Sequence, residues 1–216
     1  MLNKLKPIVG SHDVGTRHFP RGFTMLEVLV AVVITTLGLL GLAGLMSKMQ
    51  VAETESYQRS QALVLLSDMV ERINAAEPKT AAAANAYAVS GTDSLTSPAG
   101  TGDSQPADCS TVAAGAARDI CEWSNALKGA AETSGGTNVG AMIGARGCVE
   151  LITAPNPAIG TCTPATYRVS VVWQGLVPSA APATTCGTGL YGTETNGQRR
   201  AVAEQLTIGL PTCTMF

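Results

Sequence analysis

The chain has 216 residues, 45% of them hydrophobic and 14% charged, with a formal net charge of −2. That charge is unevenly spread: Lys4, Lys6, Arg17 and Arg21 against Asp13 leave residues 1–22 at +3 and the remainder at −5. Beyond residue 22 the nearest thing to a basic stripe is the pair Arg199-Arg200, so nucleic-acid binding is unsupported. The only histidines, His12 and His18, also lie before residue 23, which leaves the rest of the chain without a Ser-His or Cys-His pair for nucleophilic catalysis.

Residues 1–22 carry Pro7, Gly10, Gly15 and Pro20 but no apolar run of their own, unlike an ordinary secretory signal. The apolar run comes after them instead, from Val28 to Met46, with no charge until Lys48. At 1.5 Å per helical residue it covers roughly 28 Å, about one hydrocarbon core. A cationic leader held on the cytoplasmic side predicts that the remainder of the chain is exported. Glu27 stands at the edge of the run, where a carboxylate costs a few kcal/mol unless it is neutralised. Thr24-x-x-Glu27 also fits a capping box, in which Glu27 serves its own helix N-terminus.

The string Gly22-Phe23-Thr24-Met25-Leu26-Glu27-Val28-Leu29-Val30-Ala31, behind a short basic leader, resembles the start of type IV pilin precursors. The resemblance implies that a prepilin peptidase cuts between Gly22 and Phe23 and that Phe23 is then N-methylated. It further implies that Glu27 is the assembly residue. The new ammonium on Phe23 could neutralise a buried carboxylate on an adjoining subunit, which is physically consistent with that role.

From Thr24 the helical pattern continues without proline until Pro78, with Leu63, Leu66, Met69, Val70 and Ile73 at steps of three and four. The helix is predicted to reach about Ala76, its outer half laying the Leu63/Leu66/Val70/Ile73 stripe on a head domain. Glu53, Glu55, Arg59, Asp68, Glu71 and Arg72 form the expected solvated face. Gly38, Gly41 and Gly44 lower helix propensity by up to about 1 kcal/mol each. They fit either close helix packing or a segment able to stretch.

After Pro78, Ala81 to Tyr87 predicts a short helix or turn, residues 90–108 a loop, and Val112 to Leu127 a helix with Trp123 in the core. Asp93, Asp103 and Asp108 fit no EF-hand spacing, and neither a metal nor a cofactor is expected. Gly187-x-Gly189-x-x-Gly192 matches a dinucleotide fingerprint in letters only, since neither strand nor helix flanks it; it reads as a loop. Three strands are predicted: Gly147–Thr153, then Tyr167–Trp173 with Tyr167, Val169, Val171 and Trp173 on one face, then Arg200–Ile208 with Val202, Leu206 and Ile208 inward. Periodicity therefore gives an α+β fold, a long N-terminal helix packed against a small antiparallel sheet. The division is a leader at 1–22, a helix at 23–77 with its transmembrane part at 28–46, and an α+β head at 78–216.

Six cysteines, Cys109, Cys121, Cys148, Cys162, Cys186 and Cys213, all lie beyond the apolar run, where the predicted topology is oxidising. Three disulfides are expected, with 15 connectivities open. Sequential pairing closes the shortest loops: 109 with 121, 148 with 162 and 186 with 213. The last of these also resembles a C-terminal disulfide loop found in pilins.

Other stretches resemble a class of minor pilins, the type IV pilus modification proteins: Met69 to Ala75, Ala81 to Tyr87, Ala117 to Trp123, Val169 to Trp173 and Arg199 to Val202. The resemblance implies a non-enzymatic subunit of the bacterial inner membrane with a periplasmic head, later incorporated into a pilus. It implies as partners other minor pilins, the major pilin, the prepilin peptidase and the inner-membrane assembly platform. Two alternatives share parts of the pattern: a minor pseudopilin of a type II secretion system, and a membrane-anchored periplasmic binding or adhesin module.

Overall fold

The computed structural model describes residues 22–89, 98–130, 133–138, 140, 142–158, 161–192, 197–210 and 213. In chain order the elements are α1 (Met25–Ala76), α2 (Ala81–Asn85), β1 (Ala99–Gly100), α3 (Ala116–Leu127), β2 (Thr133–Ser134), β3 (Thr137–Asn138), β4 (Arg146–Thr153), β5 (Ala165–Gln174) and β6 (Arg199–Ile208). A 3-10 turn at Cys109–Thr111 precedes α3. Two compact units make up the chain, one ending at Ser47 and the other beginning at Lys48. The expected α+β fold is present: the outer part of α1 lies on a four-stranded antiparallel sheet of order β1-β4-β5-β6.

α1 is a single helix of 52 residues. It ends where Glu77 takes a left-handed φ of 41° and Pro78 comes next, a stop that needs no glycine because the Glu77 N–H still reaches Ile73 O at 3.2 Å. Its buried stripe is Gln58, Ala62, Leu66, Met69 and Ile73. This corrects the predicted stripe at one end, since Leu63 is 46% exposed and the fully buried residue is its neighbour Ala62. The helix is apolar on more than one side here, and one residue of offset turns a side chain by about 100°.

The solvated face is corrected as well. Glu53, Arg59 and Glu71 are exposed, but Arg72 binds Asp68 on α1 and Asp119 and Glu122 on α3 at 3.1, 3.4 and 2.7 Å. Glu55 pairs with Arg200 of β6 at 2.9 Å. These charges fasten α1 to the head.

Tyr167, Val169, Val171 and Trp173 do share the core face of β5, and Val202, Leu206 and Ile208 point inward from β6. Trp123 is fully buried, its indole donating to Leu65 O at 2.7 Å. A Cβ at position 147 would overlap the Trp123 ring, so Gly147 lets α3 press directly on β4. α3 starts at Ala116 rather than the predicted Val112, because Gly115 sits at φ 97° and breaks the helical path. Within the stretch predicted as loop, Ala99 and Gly100 pair with Gly147 and Arg146 as a two-residue edge strand; Asp93 lies outside the described residues. A second small sheet, β2 with β3, turns across Gly135-Gly136, a stretch whose periodicity predicts no strand.

A smaller apolar cluster, Cys148, Val172, Cys186 and Tyr191, occupies the other side of β5. The segment after β5 covers it, and Tyr191 Oη donates to Gly144 O at 2.8 Å. The glycines at 187, 189 and 192 belong to this turn-rich cover.

The disulfides are Cys109–Cys121, Cys148–Cys186 and Cys162–Cys213. Only the first matches sequential pairing. Cys148 lies near the start of β4 and Cys162 in the turn beyond its end, with at least five strand residues, roughly 17 Å, between them. The ten residues of β6 likewise separate Cys186 from Cys213 by on the order of 30 Å. A disulfide needs Cα atoms within about 7 Å, and the observed pairs are 5.7 to 5.9 Å apart.

Candidate assembly segment

Gly22, Phe23 and Thr24 are non-helical, and α1 begins at Met25. Thr24 is the N-cap: its hydroxyl accepts from Glu27 N at 3.2 Å, and its carbonyl accepts from Glu27 N and Val28 N at 3.1 and 3.2 Å. The reciprocal half of a capping box is missing, since no bond from Thr24 N to the Glu27 carboxylate forms among the described residues. Glu27 is exposed and has no ion pair there. Helix capping therefore rests on Thr24, and the carboxylate stands free of it.

Gly22 has ordinary backbone and open space where a Cβ would sit, so the fold itself does not demand glycine at this position. Phe23 is 82% exposed. Every described residue from Gly22 to Gln50 is exposed. α1 is long and apolar enough to cross a membrane, and none of its apolar window is covered by the chain itself. The two threonines in that window satisfy their own hydroxyls: Thr35 donates to Ala31 O at 2.9 Å and Thr36 to Val33 O at 2.9 Å. Gly38, Gly41 and Gly44 have nothing within 4 Å of a would-be Cβ. Whatever use they have lies outside this chain's own packing.

In the head, sequence reasoning missed the burial of Arg199, which is 3% exposed and faces no carboxylate among the described residues. Its guanidinium donates to Thr184 O at 2.7 Å, to Pro182 O at 3.2 Å and to Cys186 O. Burial lowers its pKa from the usual guanidinium value. Adjacent strand residues point to opposite faces, so Arg199 enters the back of the sheet while Arg200 meets α1. The arginine pair forms no common basic patch. Only the partner groups, distant in sequence, could have revealed this.

Asp103 is no calcium ligand in waiting. Ser124 Oγ donates to it at 2.5 Å, Gly100 N and Gln105 N at 2.9 and 3.2 Å, and Lys128 forms an ion pair. Burial opposes its ionisation, yet these donors outweigh burial and hold the carboxyl below the usual range. Asp108 caps the 3-10 turn through Ser110 N at 2.9 Å. Tyr87 Oη donates to Asp119 at 2.6 Å; burial and then this bond raise its pKa, while burial alone pushes Tyr167 up to about 12.

No curated protein and no solved structure matches the chain. The family described as the prokaryotic N-terminal methylation motif matches residues 18–43, which include Gly22, Phe23, Glu27 and most of the apolar run. Residues 18–43 are thus similar to the prokaryotic N-terminal methylation motif, which here leads into an apolar helix that the chain leaves uncovered.

Proposed function

We propose that the chain is a minor, non-enzymatic subunit of a type IV pilus, closest in kind to the pilus modification protein PilV. Prepilin peptidase removes residues 1–22 on the cytoplasmic side, Phe23 is N-methylated, and α1 holds the subunit in the inner membrane with its head in the periplasm. Assembly platform, major pilin and other minor pilins are its partners. The observation carrying this reading is Glu27: an unpaired carboxylate on an exposed apolar helix, five residues after a glycine the fold does not need, inside the methylation motif. A neighbouring subunit's Phe23 ammonium supplies the missing cation.

The test is Glu27→Gln, which keeps the shape and deletes the charge. Loss of the partner of a buried cation costs roughly 3 to 5 kcal/mol, about a hundred-fold to a few thousand-fold in association. A residue serving only its own helix end would cost about 1 kcal/mol and leave assembly intact. The expected result is a variant whose intact mass still shows a chain beginning at N-methyl-Phe23, inserted in the membrane but absent from sheared pili. Wild-type amounts in pili would reject the assembly role. Recovery in a secretion pseudopilus instead would move the subunit to that machine.

A further inference from the structure

The turn that leaves β5 exposes Leu176, Val177 and Pro178 in succession and, after Ser179, Ala180 and Ala181 as well. Leu176 is 40% and Val177 43% exposed. No charged residue occurs between Arg168 and Glu194. An exposed apolar run of this kind is a liability in water alone, so it marks a surface that meets something else.

The run is held firmly against the head. Leu176 N donates to Glu55 Oε1 at 3.2 Å, Val177 O accepts from Arg200 at 2.8 Å, and Ser179 N donates to Gly197 O at 2.5 Å. Ser179 Oγ accepts from Arg200 as well, and Pro178 has no N–H to satisfy. Entry of the outward side chains into an apolar medium leaves these groups paired, which removes the main cost of such a transfer.

What covers the run follows from where it is tethered. Glu55, which holds Leu176, comes nine residues after Met46, the end of the apolar run of α1, and nine residues are about 14 Å of helical rise. Lys48 is the one charge between Met46 and Glu53, and a lysine at such a place reaches lipid phosphates with its ammonium while its stem stays in the apolar layer. Headgroups occupy roughly 5 to 8 Å beyond each side of the hydrocarbon core, so Glu55 is tethered within about 10 Å of them. Helical side chains tilt toward the helix N-terminus, which puts the carboxylate that carries Leu176 on the membrane side of its own Cα.

We propose that Leu176, Val177 and Pro178 form a lipid-contact edge that rests in the headgroup layer while α1 holds the chain in the membrane. The inference rests on anchoring by α1 and not on entry into a pilus. Because the run carries no charge, the contact is with the apolar boundary of that layer and is indifferent to whether the phospholipid is zwitterionic or anionic.

The test uses the full chain, one copy per phosphatidylcholine nanodisc, with a fluorophore on a cysteine introduced by Ala180→Cys, Thr207→Cys or Leu45→Cys and a nitroxide on the lipid just below the headgroup. Emission at position 180 should be quenched at least twofold, as at position 45 in the apolar run, while position 207, exposed toward the far end of β6 from Arg200, stays unquenched. Leu176→Asp combined with Val177→Asp should remove at least half of the quenching at position 180, and Leu176→Met should keep it. Both residues are exposed, so these variants leave the core intact. Added phosphatidylglycerol should change none of this. Quenching at position 45 but not at 180 overturns the lipid contact alone, as does quenching at 180 that survives both aspartates or that is matched at 207. Quenching that needs anionic lipid makes the contact electrostatic, and quenching or a blue shift that needs two copies in one disc gives the surface to a second copy; either overturns the proposal. No quenching at position 45 removes the anchoring by α1, and this inference falls with it.

Discussion

Carboxylates at three positions in this chain stand in three different surroundings, and residue type alone distinguishes none of them. Glu27 has no cation in reach among the described residues and stands on a helix that the chain leaves uncovered. Glu55 is committed to Arg200 and Leu176 N. Asp103 is saturated by Lys128, Ser124 and two backbone N–H groups, tying the segment after β1 to α3. Because the folded pKa of Asp103 lies below its unfolded value, its contribution is fully present above the ordinary Asp pKa and disappears as pH falls through the depressed folded one. Asp103→Asn should therefore destabilise the head at pH 7 by about 2 kcal/mol, from lost bonds to a charged acceptor. The variant's stability should also vary less than wild type's between pH 5 and about 2. Urea unfolding of the full chain in detergent across that range measures both, and parallel pH curves would show that Asp103 is not the group responsible.

At the scale of the element, α1 combines a stretch with no partner in the chain and a stretch that is the main cover of the sheet. The outer stretch buries Ala62, Leu66, Met69 and Ile73 against β5, β6 and α3 while leaving Leu63 and Val64 outside. Met69 is fully buried, so Met69→Ala should cost about 2 to 5 kcal/mol through lost transfer energy and a residual cavity. Leu63→Ala should change head stability by no more than about 0.5 kcal/mol. Equal losses at the two positions, read by thermal unfolding, would contradict the observed rotation of the helix. Periodicity locates this stripe to within one residue, and the remaining offset is decided by packing in the buried core that also holds Tyr167, Val169 and Trp123.

For the molecule as a whole, the three disulfides close loops of 12, 38 and 51 residues. Loop-closure entropy assigns them about 3, 4 and 4 kcal/mol, each a large share of the roughly 5 to 15 kcal/mol that holds a domain folded. Cys148–Cys186 clamps the covering segment to the back of the sheet, where Tyr191 and Arg199 also hold it. Cys162–Cys213 joins the turn between β4 and β5 to the segment after β6. Peptide mapping without reduction should recover these three pairs and no free thiol. Recovery of 148 with 162 would mean that the sheet register is wrong. Replacing the Cys109–Cys121 pair by serines should cost the least of the three.

What the sequence determined by itself is whatever depends on neighbours along the chain: the methylation motif, the apolar run, the end of α1 at Pro78, the alternation along β5, and hence the α+β class. Short-range periodicity and backbone chemistry set these before any tertiary contact forms. Which cysteines meet, whether Arg199 and Arg200 share a surface, and which charges on α1 are solvated were decided by strand register and by groups far apart in sequence. A ten-residue strand carries its two ends some 30 Å apart, so pairing by proximity in sequence fails wherever a strand intervenes.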